Sequence, residues 1–571
     1  MQSFYKPEDK DYVLSVIRAS NVIYASMEIA LHPEVHTYSG GLGVLAGDTL
    51  RSCADLQLNV AGLTLLYRNG YFVQVLEHGY QREADEPWDV ERFTIPIPEA
   101  RVQLMLEGRD VIVEPRVGII VGHDQRHLVP IIFLDTGIDA NSSEDQGITA
   151  YLYGGDHRLR LKQEAILGIA GKRVLRSLGC RSIETFHMNE GHAAFAPMED
   201  VRYLSRYYAF NQEAVKRLVK SAHVFTTHTP VPAGHDRFSY DLMRSVIGPD
   251  DFAWDTLPLT EHNSCNMTRI ALDLSRFSNG VTRKHGDISR RMFPGYKIHS
   301  ITNAVHLPTW ISPHIKEILD RKMPSWREEP GILEHCYQVI THEELWTAHR
   351  AAKRELLALV RERTGRELSE DLLTIGFARR FAAYKRADLM FADLERFRNI
   401  AKGKLQVIFA GEAHPKDEQG KAIIRHVIEV AQKLRGEIDI VFLEDYDMEV
   451  ARHLVAGCDL WQNNPVPPQE ASGTSGMKAA ANGIPNLSTL DGWWIEGITR
   501  SPQAGWIIHH RMDGEDHLSL YENYEHIIRI FYNNPERWRE HMVHALSLAS
   551  HFNTHRMVNE YLDRAWSLDL Y

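Results

Sequence analysis

The segment from Glu470 to Lys478, EASGTSGMK, has the residue types and spacing to bind a phosphate and to attack an aldehyde. Its glycines and serines predict a tight turn into a helix, whose first backbone N–H groups are unpaired and can bind an anion. Met477 and the alanines after Lys478 provide an apolar setting, which favours the neutral amine of a nucleophilic lysine. A plain turn before a helix fits the same residues, because neither G-x-x-x-x-G-K-[ST] nor a dinucleotide-binding glycine spacing is present.

Two further segments have anion-binding chemistry. The loop Tyr38–Asp48 places several glycines between a predicted buried strand and a predicted helix, which again gives an anion-accepting helix start. The segment Arg379–Arg386 follows an apolar strand and carries four cations within eight residues, and guanidinium forks pair bidentately with phosphate. A plain βα turn and a solvated basic turn, respectively, are the simpler interpretations of these two segments.

Two histidine-containing loops follow other predicted strands. His228 ends the apolar run Val224–Thr227 and precedes a loop broken by prolines, at the end of a strand where α/β folds bind their ligands. An earlier predicted strand, nearer the amino terminus, leads into a loop with Asn189, Glu190 and His192. His187 and His192 with Glu190 could bind a metal, but their spacing is not H-E-x-x-H, so we predict no metal site here.

Composition limits the class of protein. The chain has 571 residues, of which 44% are hydrophobic and 25% charged, as is typical of a soluble globular protein with more than one domain. A formal net charge of -12 disfavours nucleic acid but is compatible with a neutral polymer. The five cysteines form no C-x-x-C pair, which argues against a zinc ribbon or a disulfide framework. Neither a signal peptide nor a membrane span is apparent, so we expect a cytoplasmic protein.

The hydrophobic pattern predicts alternating strands and helices. Apolar runs predict strands near residues 373–378, 405–411 and 438–443, each followed by a helical stretch, which is the pattern of a parallel doubly wound sheet. Alternation between residues 63 and 134 predicts an antiparallel β insertion, and residues 343–365 and 517–571 are predicted to be helical.

Several of these motifs, taken in order, resemble the α-glucan phosphorylases, the family of glycogen and maltodextrin phosphorylases. The similar segments are the lysine segment with Asn482-Gly483 and Thr489–Gly492, the T-x-H-T segment at His228, the T-N-A-V segment at Thr302–Val305 and the R-R-x-x-x-Y-K-R segment at Arg379–Arg386. The resemblance extends from about Val22 to Gly497 and indicates a compact, short-chain member. The chain departs from the family pattern at Ala304, Arg379, Glu412 and Gly476.

This resemblance implies the glycosyltransferase-B fold, which is α/β with two Rossmann-like lobes facing a central cleft, here with a β-rich insertion in the first lobe and a C-terminal helical tail. The implied domains are residues 1–301 as the glucan and glycine-loop lobe, 302–520 as the lobe for pyridoxal phosphate and phosphate, and 521–571 as helices packing back across the lobes.

The resemblance also implies a reaction, the reversible and retaining phosphorolysis of an α-1,4-glucan or maltooligosaccharide by inorganic phosphate to α-glucose 1-phosphate. The cofactor implied is pyridoxal 5'-phosphate, whose phosphate would relay a proton to the substrate phosphate. No nucleic acid or membrane partner is expected, and a homodimer is suggested by analogy with the family alone.

By the same resemblance, each candidate residue receives a role. Lys478 carries the cofactor as a Schiff base, Arg380 and Lys385 bind phosphate, and His228 and Glu470 contact the reacting glucose. Further cofactor contacts are expected from Thr474, Arg379, Tyr446 and Gly41. Further substrate contacts are expected from Asn303, Ser472, Gly473, Gly40, Leu42, His192, Asn189 and Glu190.

Two other functions stay open on the sequence. A sugar-nucleotide-dependent glucan synthase has the same fold, but a K-T-G-G-L loop near the amino terminus is absent. A non-catalytic glucan-binding paralogue would explain the departures from the family pattern. Chain growth from ADP-glucose or UDP-glucose would indicate the first, and glucan binding without turnover the second.

Overall fold

The structure is a computed structural model that describes residues 4–207, 211–254, 263–511 and 514–567. The strands are β1 (Phe4–Tyr5), β2 (Val22–Ser26), β3 (Val60–Leu65), β4 (Val73–Glu77), β5 (Tyr80–Ala84), β6 (Ile95–Pro96), β7 (Val102–Leu106), β8 (Arg109–Val121), β9 (Leu128–Asp135), β10 (Thr185–Asn189), β11 (His223–Thr226), β12 (Arg237–Ser239), β13 (Ser264–Asn266), β14 (Phe277–Gly280), β15 (His299–Ser300), β16 (Leu373–Ala378), β17 (Leu405–Ala410), β18 (Ile440–Leu443), β19 (Leu460–Asn463), β20 (Asn486–Thr489) and β21 (Gly505–Ile508).

The α-helices are α1 (Lys10–Ala19), α2 (Gly41–Asp55), α3 (Val90–Phe93), α4 (Ser143–Gln146), α5 (His157–Ala165), α6 (Gly171–Ser177), α7 (Phe195–Tyr207), α8 (Gln212–Ser221), α9 (Tyr240–Val246), α10 (Met267–Asp273), α11 (Arg283–Met292), α12 (Leu307–Trp310), α13 (Pro313–Lys322), α14 (Cys336–Val339), α15 (His342–Thr364), α16 (Leu394–Ala401), α17 (Glu418–Lys433), α18 (Met448–Gly457), α19 (Thr474–Ala480), α20 (Trp494–Arg500), α21 (Asp516–Asn533), α22 (Pro535–Ser547) and α23 (Thr554–Tyr561). A π-helical segment, Ile166–Ala170, joins α5 to α6, and another, Leu562–Trp566, follows α23.

The first of two compact units contains Met1–Phe72, Asp85–Thr302 and Met557–Tyr571. Its large sheet has the order β1-β8-β9-β3-β2-β10-β11-β14-β15, and neighbours from β9 to β15 are parallel. Strands β1, β6, β7 and β9 pair antiparallel with β8. The central parallel strands β2, β3, β10 and β11 are wholly buried, as in parallel sheets covered on both faces.

The end of the described chain packs onto the sheet of this first unit. The Trp566 carbonyl accepts a hydrogen bond from Thr185 Oγ1 at 3.3 Å, and Trp566 Nε1 donates to His187 Nδ1 at 3.1 Å. Tyr561 Oη accepts from Asn279 Nδ2 at 3.1 Å. His187 is therefore a buried residue of the sheet, bonded to the last described segment of the chain.

The second unit contains Val73–Ala84 and Asn303–Arg556. Its sheet has the order β18-β17-β16-β19-β20-β21 and is parallel throughout. Strands β16, β17 and β18 confirm the three predicted apolar strands, and α15 confirms the predicted helix at residues 343–365. Helix α15 is capped by Gly365, the residue after its end, whose φ of 66° lies in the left-handed region that favours glycine.

Both units are thus mixed α/β structures whose main sheets contain runs of parallel strands. Among the described residues, no helix combines the length and apolar character needed to cross a lipid bilayer. All five cysteines are unpaired thiols, and four of them are buried.

Candidate functional site

The lysine segment folds as the glycine and serine pattern predicts. Gly473 has a φ of 84° and precedes α19, so the chain turns sharply before it enters the helix. Lys478 lies in the last turn of α19 and is 6% exposed. Its Nζ lies 3.7 Å from the centroid of the Trp310 indole ring. The lysine amine is therefore held in an aromatic environment nearly closed to water.

Asn482 fixes the relation between Lys478 and Trp310. Its Nδ2 donates to the Lys478 carbonyl at 3.0 Å and to the Trp310 carbonyl at 2.8 Å, and its Oδ1 accepts from Ser312 N at 2.7 Å. The Asn482 side-chain amide is buried, and both its N–H₂ group and its oxygen form hydrogen bonds. These bonds join the end of α19 to the end of α12.

Two glycines allow close packing around this turn. A Cβ at Gly476 would lie 2.5 Å from Asn486 Oδ1, and one at Gly492 would lie 2.3 Å from the Ser472 carbonyl. The Ser472 carbonyl also accepts from Trp493 N at 2.8 Å, while Asp491 Oδ2 accepts from Glu470 N at 2.8 Å. The segment after β20 therefore supports the turn from Glu470 to Gly473.

A buried ion cluster forms where β16 and the turn before α19 meet. Glu470 Oε2 accepts from Arg379 Nη2 at 2.5 Å and from Lys385 Nζ. All three side chains are nearly buried, with exposed fractions of 12% for Glu470, 8% for Arg379 and 9% for Lys385. Burial opposes ionisation of Glu470, but the charges of Lys385 and Arg379 outweigh it and lower the pKa of Glu470 to about 2.

Part of the Arg379 guanidinium lacks a hydrogen-bond partner within the described parts of the chain. Its Nε and Nη1 are buried and unsatisfied, although a third donor binds Glu470. Buried guanidinium donors without an acceptor are costly, and a bound oxyanion would satisfy them. The cluster therefore has the donors for a phosphate group.

The segment that carries Lys385 is also held by the chain just after β19 and by the start of α21. Asn464 Nδ2 donates to the carbonyls of Lys385 and Arg386, at 3.2 and 2.6 Å. Arg386 adopts a φ of 52°, and its Nη1 forms an ion pair with Asp516 Oδ2 at 2.6 Å. These contacts fix the left-handed turn that directs Lys385 toward Glu470.

Other candidate residues of the second unit lie in different environments. Arg380 is exposed, whereas its neighbour Arg379 is buried. Asn303 and Ser472 are buried, and Asn303 Oδ1 and Ser472 Oγ have no hydrogen-bond partner among the described residues. Burial, with a smaller effect of the Glu412 charge, raises the pKa of Tyr446, so its phenol stays protonated at neutral pH.

The hairpin of β4 and β5 belongs to the second unit and supports two of its loops. Gln74 Nε2 donates to the Gly411 carbonyl at 3.1 Å, and Gln74 Oε1 accepts from Asp445 N at 3.1 Å. Gln81 bonds both backbone groups of Ala413, at 2.9 Å each. The two glutamines thus satisfy backbone groups of the loops that follow β17 and β18.

In the first unit, the glycine loop is organised around Glu28. Its Oε2 accepts from Ser39 N at 2.7 Å and from Gly40 N at 3.1 Å, and its Oε1 accepts from Tyr153 Oη at 2.8 Å. A Cβ at Gly40 or Gly41 would meet no atom within 4 Å, so this side of the loop is open. A phosphate oxygen would have to replace the Glu28 carboxylate to bind the Gly40 N–H.

The orientation of His228 follows from a chain of hydrogen bonds. Ser26 Oγ donates to the Glu28 carbonyl at 2.8 Å and accepts from Asn189 Nδ2 at 3.1 Å, so Asn189 Oδ1 faces His228. His228 Nε2 lies 2.6 Å from this oxygen and must be the protonated nitrogen. Burial lowers the pKa of His228 to about 3, so the ring is neutral and Nδ1 is a hydrogen-bond acceptor.

Glu190 and His192 complete the group on the loop after β10. Glu190 Oε2 accepts from His228 N at 2.7 Å and from Thr229 Oγ1 at 3.0 Å, although burial raises the pKa of this carboxyl. His192 Nε2 lies 3.5 Å from Asp236 Oδ2. Burial, aided by the Arg160 charge, lowers the pKa of His192 to about 3.

The candidates predicted from sequence thus form two groups, one in each unit. Asn189, Glu190 and His228 are directly bonded in the first unit, where Gly40 is bonded to Glu28 and Leu42 is partly exposed. Arg379, Lys385 and Glu470 are bonded in the second, where the partly exposed Thr474 begins α19.

The structure also identifies partners to which the sequence interpretation gave no role. They are Glu28, Tyr153, Trp310, Gln74, Gln81 and Asn482. For Glu28 the signal was a carboxylate within the apolar run Val22–Ala30, which has to be paired if it is buried.

Comparisons with known proteins agree on the family. A family model described as carbohydrate phosphorylase matches residues 29–121 and 250–504. The chain is 38% identical to the maltodextrin phosphorylase of Thermococcus litoralis, over 96% of this chain and 70% of that protein. It is 34% identical to a glycogen phosphorylase of Mycobacterium tuberculosis (99% and 72% covered) and 31% identical to that of Aquifex aeolicus (96% and 86%). The chain therefore belongs to the carbohydrate phosphorylase family, which confirms the resemblance.

Proposed function

We propose that this chain is an α-1,4-glucan phosphorylase that cleaves the terminal glucose of a glucan or maltooligosaccharide with inorganic phosphate and releases α-glucose 1-phosphate, with retention at the anomeric carbon. The observation that supports this most directly is the buried cluster of Arg379, Lys385 and Glu470, in which two cations and two unsatisfied guanidinium nitrogens provide donors for phosphate. Membership of the phosphorylase family supports the same reaction.

The residues of the second unit fit pyridoxal 5'-phosphate. Lys478 is buried against Trp310, and the unsatisfied donors of Arg379 and the Ser472 hydroxyl can bond an acceptor such as a phosphate. Lys478 would attach the cofactor, with Arg379, Thr474 and Tyr446 around it, and Gly41 is a further proposed contact. When bound, pyridoxal phosphate would supply a phosphate group that can exchange a proton with the substrate phosphate.

For the sugar, each group has a distinct role. We assign Glu470, Asn303, Ser472 and Gly473 to the hydroxyls of the reacting glucose. Asn303 Oδ1 is a buried acceptor that lacks a donor within the described chain, and a sugar hydroxyl would supply one. Among the glucan-side candidates Asn189, Glu190, His192 and His228, the neutral His228 ring presents Nδ1 as an acceptor. Fixed neutral acceptors orient hydroxyls without adding a charge.

For phosphate, the charge balance of the cluster matters. Lys385 is paired with Glu470, so an incoming dianion competes with this carboxylate for the cation. The exposed Arg380 and the backbone of Gly40, Gly41 and Leu42 are further proposed phosphate contacts. Positive groups around two phosphates would offset a repulsion that is large in a dry site.

We further propose the glycosyltransferase-B fold with two Rossmann-like lobes, a β-rich insertion and a helical tail, with lobes near residues 1–301 and 302–520 and tail helices at 521–571. Each described unit contains a sheet with a run of parallel strands, which supports this fold. A cytoplasmic location and a homodimer are proposed by analogy with the family.

Release of glucose 1-phosphate from maltoheptaose and inorganic phosphate, with and without added pyridoxal phosphate, tests the proposal. We expect release that requires both phosphate and cofactor, and loss of cofactor trapping by borohydride in the Lys478→Ala variant. Chain growth from ADP-glucose or UDP-glucose without phosphate-dependent release would instead establish a synthase. Glucan binding with neither reaction would establish a non-catalytic paralogue.

A further inference from the structure

A small pocket of the first unit lies beside the two-stranded sheet of β12 and β13. It has a volume of about 80 Å³, which is room for several water-sized groups. Its polar lining consists of His235, Arg237, Asn266 and Arg269, and Met292 and Phe293 contribute apolar walls. None of these residues belongs to the candidate catalytic groups described above.

The local fold explains why these polar residues converge. Arg237 in β12 lies opposite Asn266 in the antiparallel β13, so their side chains project to the same face. His235 precedes Arg237 by two residues in extended backbone and lines the same pocket. Asn266 Oδ1 accepts from Arg269 N at 3.1 Å, which brings the first turn of α10 next to the strands.

His235 presents an unsatisfied nitrogen in this lining. The residue is 6% exposed, and its Nδ1 lies 2.8 Å from Thr268 Oγ1. Its ring packs edge-on to the Phe293 ring, with 5.1 Å between the two ring centroids. Nε2 is buried without a hydrogen-bond partner among the described residues. When the Thr268 hydroxyl donates to Nδ1, the ring proton is on Nε2, which then requires an acceptor.

The ring is neutral at physiological pH. Burial, with the nearby His285 and Arg237, lowers the pKa of His235 to about 4, against the opposing charge of Asp236. The imidazole is therefore a single neutral donor rather than a cation.

The charges around the pocket favour an anion. Two arginines line it, and no acidic residue of the described chain does. Within the described parts of the chain, neither Arg237 nor Arg269 forms a side-chain ion pair, whereas the adjacent Asp236 is paired with Arg160 at 3.0 Å. The chain has a formal net charge of -12, so carboxylates outnumber cations, and yet these two arginines form no ion pair with one among the described residues. They are therefore available to bind an oxyanion beside the buried imidazole.

We propose that this pocket binds a phosphate group, as inorganic phosphate or as the phosphate of a small ester, with Arg237 and Arg269 as charged donors and His235 Nε2 and the Asn266 amide as neutral donors. Guanidinium forks match the oxygens of a tetrahedral dianion bidentately, and the other two donors reach its remaining oxygens. The apolar walls formed by Met292 and Phe293 would lie against the organic part of an ester.

Equilibrium dialysis of the full chain with radiolabelled inorganic phosphate tests this assignment. We expect the double variant Arg237→Ala/Arg269→Ala to lose one bound phosphate, or to bind it at least about tenfold more weakly. Arg244→Ala is the matched control, since this arginine does not line the pocket. Its Cζ lies 4.6 Å from the centroid of the Tyr240 ring. Lys385→Ala, which alters the proposed substrate-phosphate site, is expected to keep the phosphate that the double variant loses.

Competition with phenyl phosphate distinguishes the two sources of the phosphate group. Displacement of the labelled phosphate from Lys385→Ala protein indicates that esters bind, and its absence restricts the pocket to the free ion. The proposal is overturned if the double variant, with an unchanged unfolding midpoint in urea, binds phosphate as the Arg244→Ala control does. It is also overturned if crystals of the full chain soaked in tungstate show no anomalous peak beside His235 Nε2 and Arg269.

Discussion

The Lys478 Nζ atom and the Trp310 indole ring are in direct contact, 3.7 Å from nitrogen to ring centroid, although helices α12 and α19 that carry them are far apart in sequence. The indole shields the amine from water and fixes its position. Any chemistry at Lys478 therefore depends on Trp310.

Replacing Trp310 tests this dependence. Trp310→Ala should lower the free energy of unfolding by about 3–5 kcal/mol, because it removes a large buried side chain. It should also reduce the amount of borohydride-trapped pyridoxal phosphate per folded protein, because the Lys478 amine loses the indole ring that covers it. Trp310→Phe should retain most of the trapping. Trp326→Ala, at another fully buried tryptophan, is the control and should lose similar stability in urea unfolding without loss of trapping. Equal trapping in both alanine variants would contradict a role for Trp310.

Glu470→Gln should separate phosphate binding from turnover. The substitution removes the carboxylate that pairs with Lys385 and Arg379, so the cations are released for phosphate while the proposed sugar contact is weakened. We expect tighter binding of inorganic phosphate by calorimetry and a fall in kcat of at least about tenfold. Weaker phosphate binding in the variant would show that the carboxylate does not compete for these cations.

The same carboxylate should contribute to acid stability. Its pKa is about 2 in the folded chain and near 4.5 when unfolded, so the contribution is fully present above pH 4.5 and is lost as the pH falls toward 2. At pH 7 we expect Glu470→Gln to be less stable than the unsubstituted chain by about 3 kcal/mol in urea unfolding, and this difference to shrink below pH 4.5. The exposed Glu362→Gln variant should show little difference at any pH.

Asn189→Asp should raise the pKa of His228. The introduced carboxylate would face the Nε2–H and stabilise the imidazolium, with an expected increase of roughly 1–3 units from about 3. Histidine-selective carbon-13 labelling would follow the titration, with the His228 signal assigned from a His228→Gln variant. Asn189→Leu, which introduces no charge, should not raise the pKa. An unchanged titration in Asn189→Asp would contradict the orientation of the ring.

The two hairpin glutamines should protect different amides from hydrogen exchange. Gln81→Ala should accelerate exchange of the Ala413 N–H, and Gln74→Ala that of the Asp445 N–H, because each loses its side-chain acceptor. Each variant serves as the control for the other in exchange measured by mass spectrometry. The loop containing Gly411 packs against Arg379, where a Cβ at Gly411 would lie 2.0 Å from the Arg379 carbonyl. Exchange that is unchanged in both variants would show that the hairpin does not restrain these loops.

The sequence by itself determined the local elements and the candidate positions. Apolar runs gave strands β16, β17 and β18, and the small residues before Lys478 gave the left-handed turn at Gly473 and helix α19. These features depend on the conformational preferences of neighbouring residues, which can be recognised within a short window. Family motifs added the roles expected at His228 and Lys478.

Only the tertiary structure decided which of these side chains are bonded to one another. Arg379 and Arg380 are adjacent in sequence, yet Arg379 is buried on Glu470, 91 positions away, and Arg380 is exposed. The contacts of Gly40 with Glu28, of Lys478 with Trp310 and of Gln74 with Gly411 likewise join separate elements. Such pairings depend on strand order and on which face of an element is covered, and the sequence pattern around each residue alone does not specify them.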